Sequence, residues 1–219
     1  MGTKVKITKQ ELKQDKFTTS MLKARGWLED NWQVVAVVAA AVLIVIIGAV
    51  YYKSHQSSRE GEGIQKYSQA LNQLQTRNYQ PAIIGFNDII DNYSGDVVAR
   101  AQFNLGNAYF ESRNYQEAIA AYQRYIDKFH LDPLTTSSAV AGIAASLESQ
   151  QNFADAAEKY LSAIDHYPDT PARPDYLLGA IRCFVQLGEK DKIKTQLDIL
   201  EKDYPGSDQY LTAYQLYMQ

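Results

Sequence analysis

Two hydrophobic patterns divide the chain. Residues 32–52 read WQVVAVVAAAVLIVIIGAVYY, 21 positions without a charged side chain. At about 1.5 Å of rise per residue, a helix over them covers roughly 30 Å, the hydrocarbon thickness of a bilayer. Trp27 and Trp32 stand at one edge and Tyr51 and Tyr52 at the other, where a crossing helix meets the headgroup layers. From residue 63 onward the apolar positions recur every three or four residues in short blocks, which predicts a series of amphipathic helices and no strands.

The uncharged stretch is longer than a soluble core helix requires. A cleaved signal peptide would have a shorter apolar region behind a shorter basic one, and Gly48-Ala49-Val50 is a poor cleavage site. The reading is an uncleaved signal anchor over residues 32–52. Residues 1–31 carry Lys4, Lys6, Lys9, Lys13, Lys16, Lys23 and Arg25, whereas Lys53 and Arg59 alone come closely behind the span. The positive-inside bias then puts the basic N-terminal segment in the cytoplasm and everything after the span outside, in the periplasm of a Gram-negative cell. Phe17, Met21, Leu28 and Trp32 are spaced as in an interfacial amphipathic lead-in, and the same stretch reads equally as a solvated tail. Residues 53–62 are polar, with Gly61 at their end and Gly63 just beyond, and read as a linker or as a frayed helix joining the span to the repeating blocks.

The blocks after residue 63 repeat. Asn78-Tyr79, Asn114-Tyr115, Asn152-Phe153 and Glu189-Lys190 align, with intervals of 36, 38 and 37 residues between their second members. Small and aromatic residues come after each at helical spacing: Ala82 and Phe86, Ala118 and Tyr122, Ala156 and Tyr160, then Ile193 and Leu197. Such a period marks stacked supersecondary units. The expected repeats cover about 63–96, 99–132, 137–170 and 174–206. Asn78, Asn114 and Asn152 are placed to cap the second helices through their side chains, and Asn114 with Glu117 makes a capping-box-like pair. Pro81 falls in a first turn, Pro168 and Pro205 end second helices, and Pro133 sits in a connection. Ser207 is placed to cap a last helix, residues 207–219, whose Tyr210, Leu211, Tyr214 and Tyr217 form the apolar stripe that covers the open end.

Residues 99–124, ARAQFNLGNAYFESRNYQEAIAAYQR, resemble the tetratricopeptide-repeat (TPR) family, through Leu105-Gly106, Tyr109, Tyr115, Ala118 and Tyr122. The resemblance implies an all-α, TPR-like superhelical solenoid of antiparallel helix pairs, about four repeats plus a C-terminal capping helix, preceded here by one transmembrane helix. It also implies a concave groove lined by the first helix of each repeat. By family register the groove holds Tyr67, Leu71 and Leu74, then Arg100, Phe103, Asn107 and Phe110. Ala141, Ala145 and Glu148 come next, then Leu178, Arg182 and Val185. That inventory is more apolar than charged. Members that clamp a C-terminal carboxylate use paired Lys and Asn; Asn107 matches the Asn, but Phe103 stands where Lys would be. An aromatic and aliphatic groove suits extended or unfolded apolar segments.

Composition narrows the chemistry. The net charge of −3 conceals nine Lys+Arg against six Asp+Glu in residues 1–62 and thirteen against nineteen in residues 63–219. An acidic main region argues against nucleic acid as partner. The single cysteine, Cys183, excludes an internal disulfide and a cysteine zinc site. His55, His130 and His166 fall in a linker or at helix ends, and no catalytic, metal-ligating or phosphate-cradling pattern is present, so neither an enzyme nor a cofactor or small-molecule substrate is expected.

The layout also resembles a bacterial family, the single-span ancillary subunit of the Sec translocon: a short cytoplasmic segment, one signal anchor and a periplasmic TPR-like region. This implies the translocon, periplasmic chaperones and emerging unfolded chains as partners at the inner membrane. Two other readings stay open: a periplasmic scaffold for envelope assembly or division, suggested by the endings Tyr167-Pro168 and Tyr204-Pro205, and a structural accessory subunit of a larger membrane complex.

Overall fold

The computed structural model describes the backbone of residues 9–218 and the side chains of residues 18–51 and 59–218. Among the described residues there are ten helices and no strand. They are α1 (Lys9–Asp30), α2 (Trp32–Gln75), α3 (Tyr79–Asn92), α4 (Asp96–Glu111) and α5 (Tyr115–Lys128), then α6 (Pro133–Ser149), α7 (Phe153–His166), α8 (Arg173–Leu187), α9 (Lys190–Asp203) and α10 (Asp208–Tyr217). By internal packing the chain divides into residues 1–57 and 58–219.

In the first unit, residues 32–51 form a helical segment of mean hydropathy 3.0 with none of its most apolar stretch buried, long and apolar enough to cross a membrane. Tyr51 and Trp32 stand at its ends; the side chains of Tyr52, Phe17 and His55 lie outside the described residues, as do those of the first five tail lysines. In α1, Met21, Leu22, Trp27 and Leu28 are all exposed. Residues 53–62, read as a linker or a frayed helix, have continuous helical backbone within α2. Propagating a helix between two established segments costs far less than nucleating one, which is why this glycine-containing stretch is helical.

In the second unit the final turns of α2 meet α3 through Ala70 against Gly85, Tyr67 against Phe86 and the Lys66–Asp88 pair; α4 pairs with α5, α6 with α7 and α8 with α9, and α10 packs on α8 and α9. The turn inside each pair is the same. Arg77, Arg113 and Gln151 take left-handed backbone (φ 62°, 64° and 62°), and Gly188 does so in the fourth pair (φ 72°). In each, the left-handed residue's N–H reaches the carbonyl three residues back, and the next N–H reaches five back, as in Asn114 N to Tyr109 O at 2.9 Å. This Schellman arrangement satisfies carbonyls that the first helix would otherwise leave unpaired.

That geometry corrects the expected role of the asparagines. Asn78, Asn114 and Asn152 occupy the N-cap position, but none accepts a side-chain cap bond, and no capping box forms at Asn114. Their amides donate sideways instead: Asn78 to Gln73 Oε1, Asn114 to Ser112 Oγ and Asn152 to Asp155 Oδ2. Pro133 is also corrected. It is the first residue of α6, capped by Asp132, whose carboxylate accepts from Thr135 N at 2.8 Å. Proline suits that position because no N–H is needed there. Ser207 caps α10 through Tyr210 N at 3.2 Å.

The core obeys the repeat. Ala82, Ala118 and Ala156 are fully buried, and Phe86, Tyr122 and Tyr160 lie under them one turn later. In the fourth repeat Ile193 and Leu197 take the same buried places. The alanines let paired helices approach, and each large ring removed from water contributes roughly 1.5–3 kcal/mol. The Tyr122 ring is held in a slot between two first helices. A Cβ on Gly106 of α4 would lie 2.6 Å from one edge of the ring, and a Cβ on Gly142 of α6 would lie 2.6 Å from the other. Gly179 of α8 serves Tyr160 in the same way, at 2.7 Å. The expected stripe on α10 is shifted by packing: Ala213 is buried, with Tyr210, Leu216 and Tyr217 against the core, while Leu211 and Tyr214 are exposed.

Candidate partner-binding groove

Because the second helices pack their buried faces, through alanines in the first three repeats and Ile193 in the fourth, against their partners, the first helices are left to present their remaining faces along one surface. Three hollows run along that surface. The first, about 430 Å3, is bounded by Tyr67, Arg100, Phe103 and Asn104, with Asp96 and Asp132 at helix starts. The second, about 420 Å3, holds Phe103, Asn107, Phe110, Leu178 and Arg182 over a floor of Ala141, Gly142 and Ala145, with Glu111 and Asp175 beside it. The third, about 680 Å3, continues from Phe110 past Glu148 and Arg182 to Val185, where Leu216 of α10 joins the lining. Phe103, Phe110 and Arg182 each border two hollows, so the three form one run.

Tyr67, Arg100, Phe103, Asn107, Phe110, Leu178 and Arg182 thus lie together along the groove. Leu71 and Leu74 border none of these hollows; Leu74 packs on the core beside Ala82 and Phe86. Phe103 is half-buried, with its ring centroid 5.8 Å from that of Tyr122 and 5.6 Å from that of Tyr125, and Phe110 lies 5.7 Å from Tyr115. Both border the groove while anchored by aromatic neighbours.

A chain of hydrogen bonds orders the polar side chains. The Tyr122 hydroxyl donates to Asn107 Oδ1 at 2.7 Å, Asn107 Nδ2 donates to Asn104 Oδ1 at 3.0 Å, and Asn104 Nδ2 donates to the Tyr67 hydroxyl at 2.9 Å. An amide carries two N–H donors, so Asn107 has one left for a ligand. Across the groove, Glu148 accepts from Arg182 Nε at 2.7 Å and Nη2 at 2.9 Å, and from the Tyr160 hydroxyl at 2.9 Å. A two-pronged guanidinium–carboxylate pair is geometrically demanding and leaves both charges engaged. Burial, then the Glu148 charge, pushes the Tyr160 phenol far above its usual range; burial chiefly does the same for Tyr122.

The Glu148–Arg182–Tyr160 cluster was not legible in sequence, because its members come from three helices and no short spacing links them. The acidic rim was also missed. Asp96 and Asp132 sit at helix starts, and Glu111 and Asp175 fall outside the register counted along the first helices.

Cys183 is fully buried in α8, and burial, with the Glu148 charge adding to it, pushes its thiol up to about 12. His166 approaches the Ser162 carbonyl four residues back in α7, and His130, just past α5, approaches the Ile126 carbonyl. Among the described residues no three His, Cys, Asp or Glu side chains gather as a metal site would require.

The arrangement defines a class: a helical-repeat scaffold that presents a concave binding surface. Residues 25–173 match the model of the tetratricopeptide repeat-like domain family, and the chain belongs to that family. No curated protein matches it. Among solved structures it is similar to a tetratricopeptide repeat protein from Parabacteroides merdae, with TM-score 0.60 and 11% identity over 71% of this chain. The chain spans 58% of that protein's length. It is also similar to a putative kinesin light chain of Podosopora anserina with nearly identical TPR-like repeats, with TM-score 0.55 and 13% identity over 70% of this chain and 82% of that one. At such identities the likeness is one of fold. Domains of this family are protein–protein interaction modules.

Proposed function

We propose that the chain is an interaction module anchored in the inner membrane by residues 32–52, with its basic N-terminal segment in the cytoplasm and its repeats on the far side. There the groove receives extended segments of other proteins during translocation or handover to chaperones. One observation carries this reading. The run of hollows past Phe103, Phe110 and Leu178 is elongated and apolar-floored, the shape an extended chain fills. The uncharged helix behind a lysine-rich segment supports the tether and its direction. The test has two arms. Protease added outside spheroplasts degrades residues 64–219 but spares the N-terminal segment; protection of the repeats overturns the topology. Crosslinking mass spectrometry on native membranes finds translocon subunits and exported chains; crosslinks confined to cell-wall or outer-membrane machinery overturn the translocation role in favour of an envelope scaffold.

A second reading, an accessory subunit fixed in a larger membrane complex, rests on α10. Its Leu211 and Tyr214, with Met218 just beyond its end, are exposed one or two turns apart on the outer side of the last helix. Stoichiometric co-purification with one complex, unchanged when secretion is blocked, is the outcome specific to that reading.

A further inference from the structure

The groove has an unbalanced charge. Five carboxylates (Asp96, Glu111, Asp132, Glu148 and Asp175) face two guanidiniums (Arg100 and Arg182) along the three hollows, a net charge of −3. Glu148 and Arg182 satisfy each other through two hydrogen bonds. What remains is Arg100 against four exposed carboxylates. None of the four lies within ion-pair distance of a cation among the described residues. Asp132 is held ionised by the backbone and hydroxyl of Thr135. Between the acids stand the rings of Phe103, Phe110 and Tyr67, whose faces attract cations as well as apolar side chains.

We infer that the groove selects extended segments of other proteins in which lysine or arginine alternates with apolar residues, and rejects acidic segments. The inference rests on the reading of the groove as a peptide-binding surface and adds the chemistry of its occupant. In an extended chain successive side chains point to opposite faces. One face of such a segment meets the apolar floor of Ala141, Gly142, Ala145 and Leu178, and the other reaches the carboxylates along the rim. Arg182, already engaged by Glu148, offers little to a ligand carboxylate.

The probes are three short fluorescent peptides, alternating leucine with lysine, serine or glutamate, titrated by anisotropy into the full chain in detergent micelles. With exposed pairs worth a fraction of a kcal/mol each and three surplus charges, the lysine peptide binds about tenfold tighter than the serine peptide, and the glutamate peptide binds weakest. Raising the salt concentration narrows the gap. Glu111→Gln with Asp175→Asn removes most of the lysine preference over the serine peptide. Glu158→Gln, on an exposed face of α7, has no effect. Equal binding of the lysine and serine peptides overturns the inference and leaves the peptide-groove reading standing, as does an equal loss on Glu158→Gln, which makes the attraction one of overall charge. Failure of all three peptides to bind overturns both.

Discussion

The slot around Tyr122 gives the sharpest test of the packing. Gly106→Ala adds one methyl group to α4. A helical alanine is about 1 kcal/mol more favourable than glycine, so on propensity alone the change stabilises. Packing opposes it. The new Cβ would lie 2.6 Å from Tyr122 Cδ1 and Cε1, and the ring cannot retreat, because the backbone at Gly142 closes its other edge. Its hydroxyl is also tethered to Asn107. Overpacking of a closed core site costs about 1–3 kcal/mol, and a ring trapped on two sides belongs at the upper end. The expected net effect is a loss of about 2 kcal/mol. In a Tyr122→Leu background the ring is absent and the sign reverses: Gly106→Ala becomes neutral or stabilises by up to about 1 kcal/mol. The double-mutant coupling is then at least about 2 kcal/mol. Urea unfolding of the full chain in detergent, monitored by circular dichroism, measures all four variants. Stabilisation by Gly106→Ala to the same extent in both backgrounds would refute the slot.

The turns predict an asymmetry: Gln151→Gly relieves left-handed strain and stabilises by about 1 kcal/mol, whereas Gly188→Ala destabilises by a similar amount, both read from urea midpoints. Among caps, Asp132→Ala costs about 1 kcal/mol because a real cap bond is lost, while Asn114→Ala costs only a few tenths; equal losses would contradict the turn geometry. Alkaline stability reflects Cys183, Tyr122 and Tyr160, all with pKa raised by burial in the folded chain. The folded state keeps protons that the unfolded chain releases above about pH 8.5 for the thiol and about pH 10 for the phenols. Stability is therefore retained below about pH 8.5 and falls as pH rises through about 12. A pH series of urea midpoints tests this, and a rising midpoint over that range would contradict it. The Cys183 thiol should also resist a maleimide at about pH 8 until urea unfolds the repeats.

Much of this architecture was legible because the repeat is a packing rule written at fixed spacing. Ala118 and Tyr122 must stand one turn apart for one to admit the neighbouring helix and the other to fill the space beside it. The fourth repeat kept the rule with Ile193 and Leu197, so its different residues did not change the fold. Where backbone geometry outweighed side-chain preference, sequence reasoning failed. Asn114 looks like a cap, yet the left-handed Arg113 before it turns the backbone so that its carbonyl starts the helix while its amide points back to Ser112. Glu189 in the equivalent place indicates that an asparagine is not required. The glycine-containing residues 53–62 read locally as a possible linker, but they lie between two strong helical segments. The groove was legible in part, since Phe103, Asn107 and Phe110 fit the first-helix register. Its charge was not, because that register omits the helix ends and cannot reveal that Glu148 and Arg182, 34 residues apart, form a pair.

Photo-crosslinking in living cells bears most directly on the proposal that these repeats hold other proteins in their concave groove. One crosslinker replaces Leu178, bordering the central hollow, and a control replaces Ile84, which is 68% exposed on α3. Adducts with exported chains that form at position 178, disappear when export is blocked and are absent at position 84 are the predicted result. Adducts at position 84 with none at position 178 would place the working surface elsewhere and contradict the account.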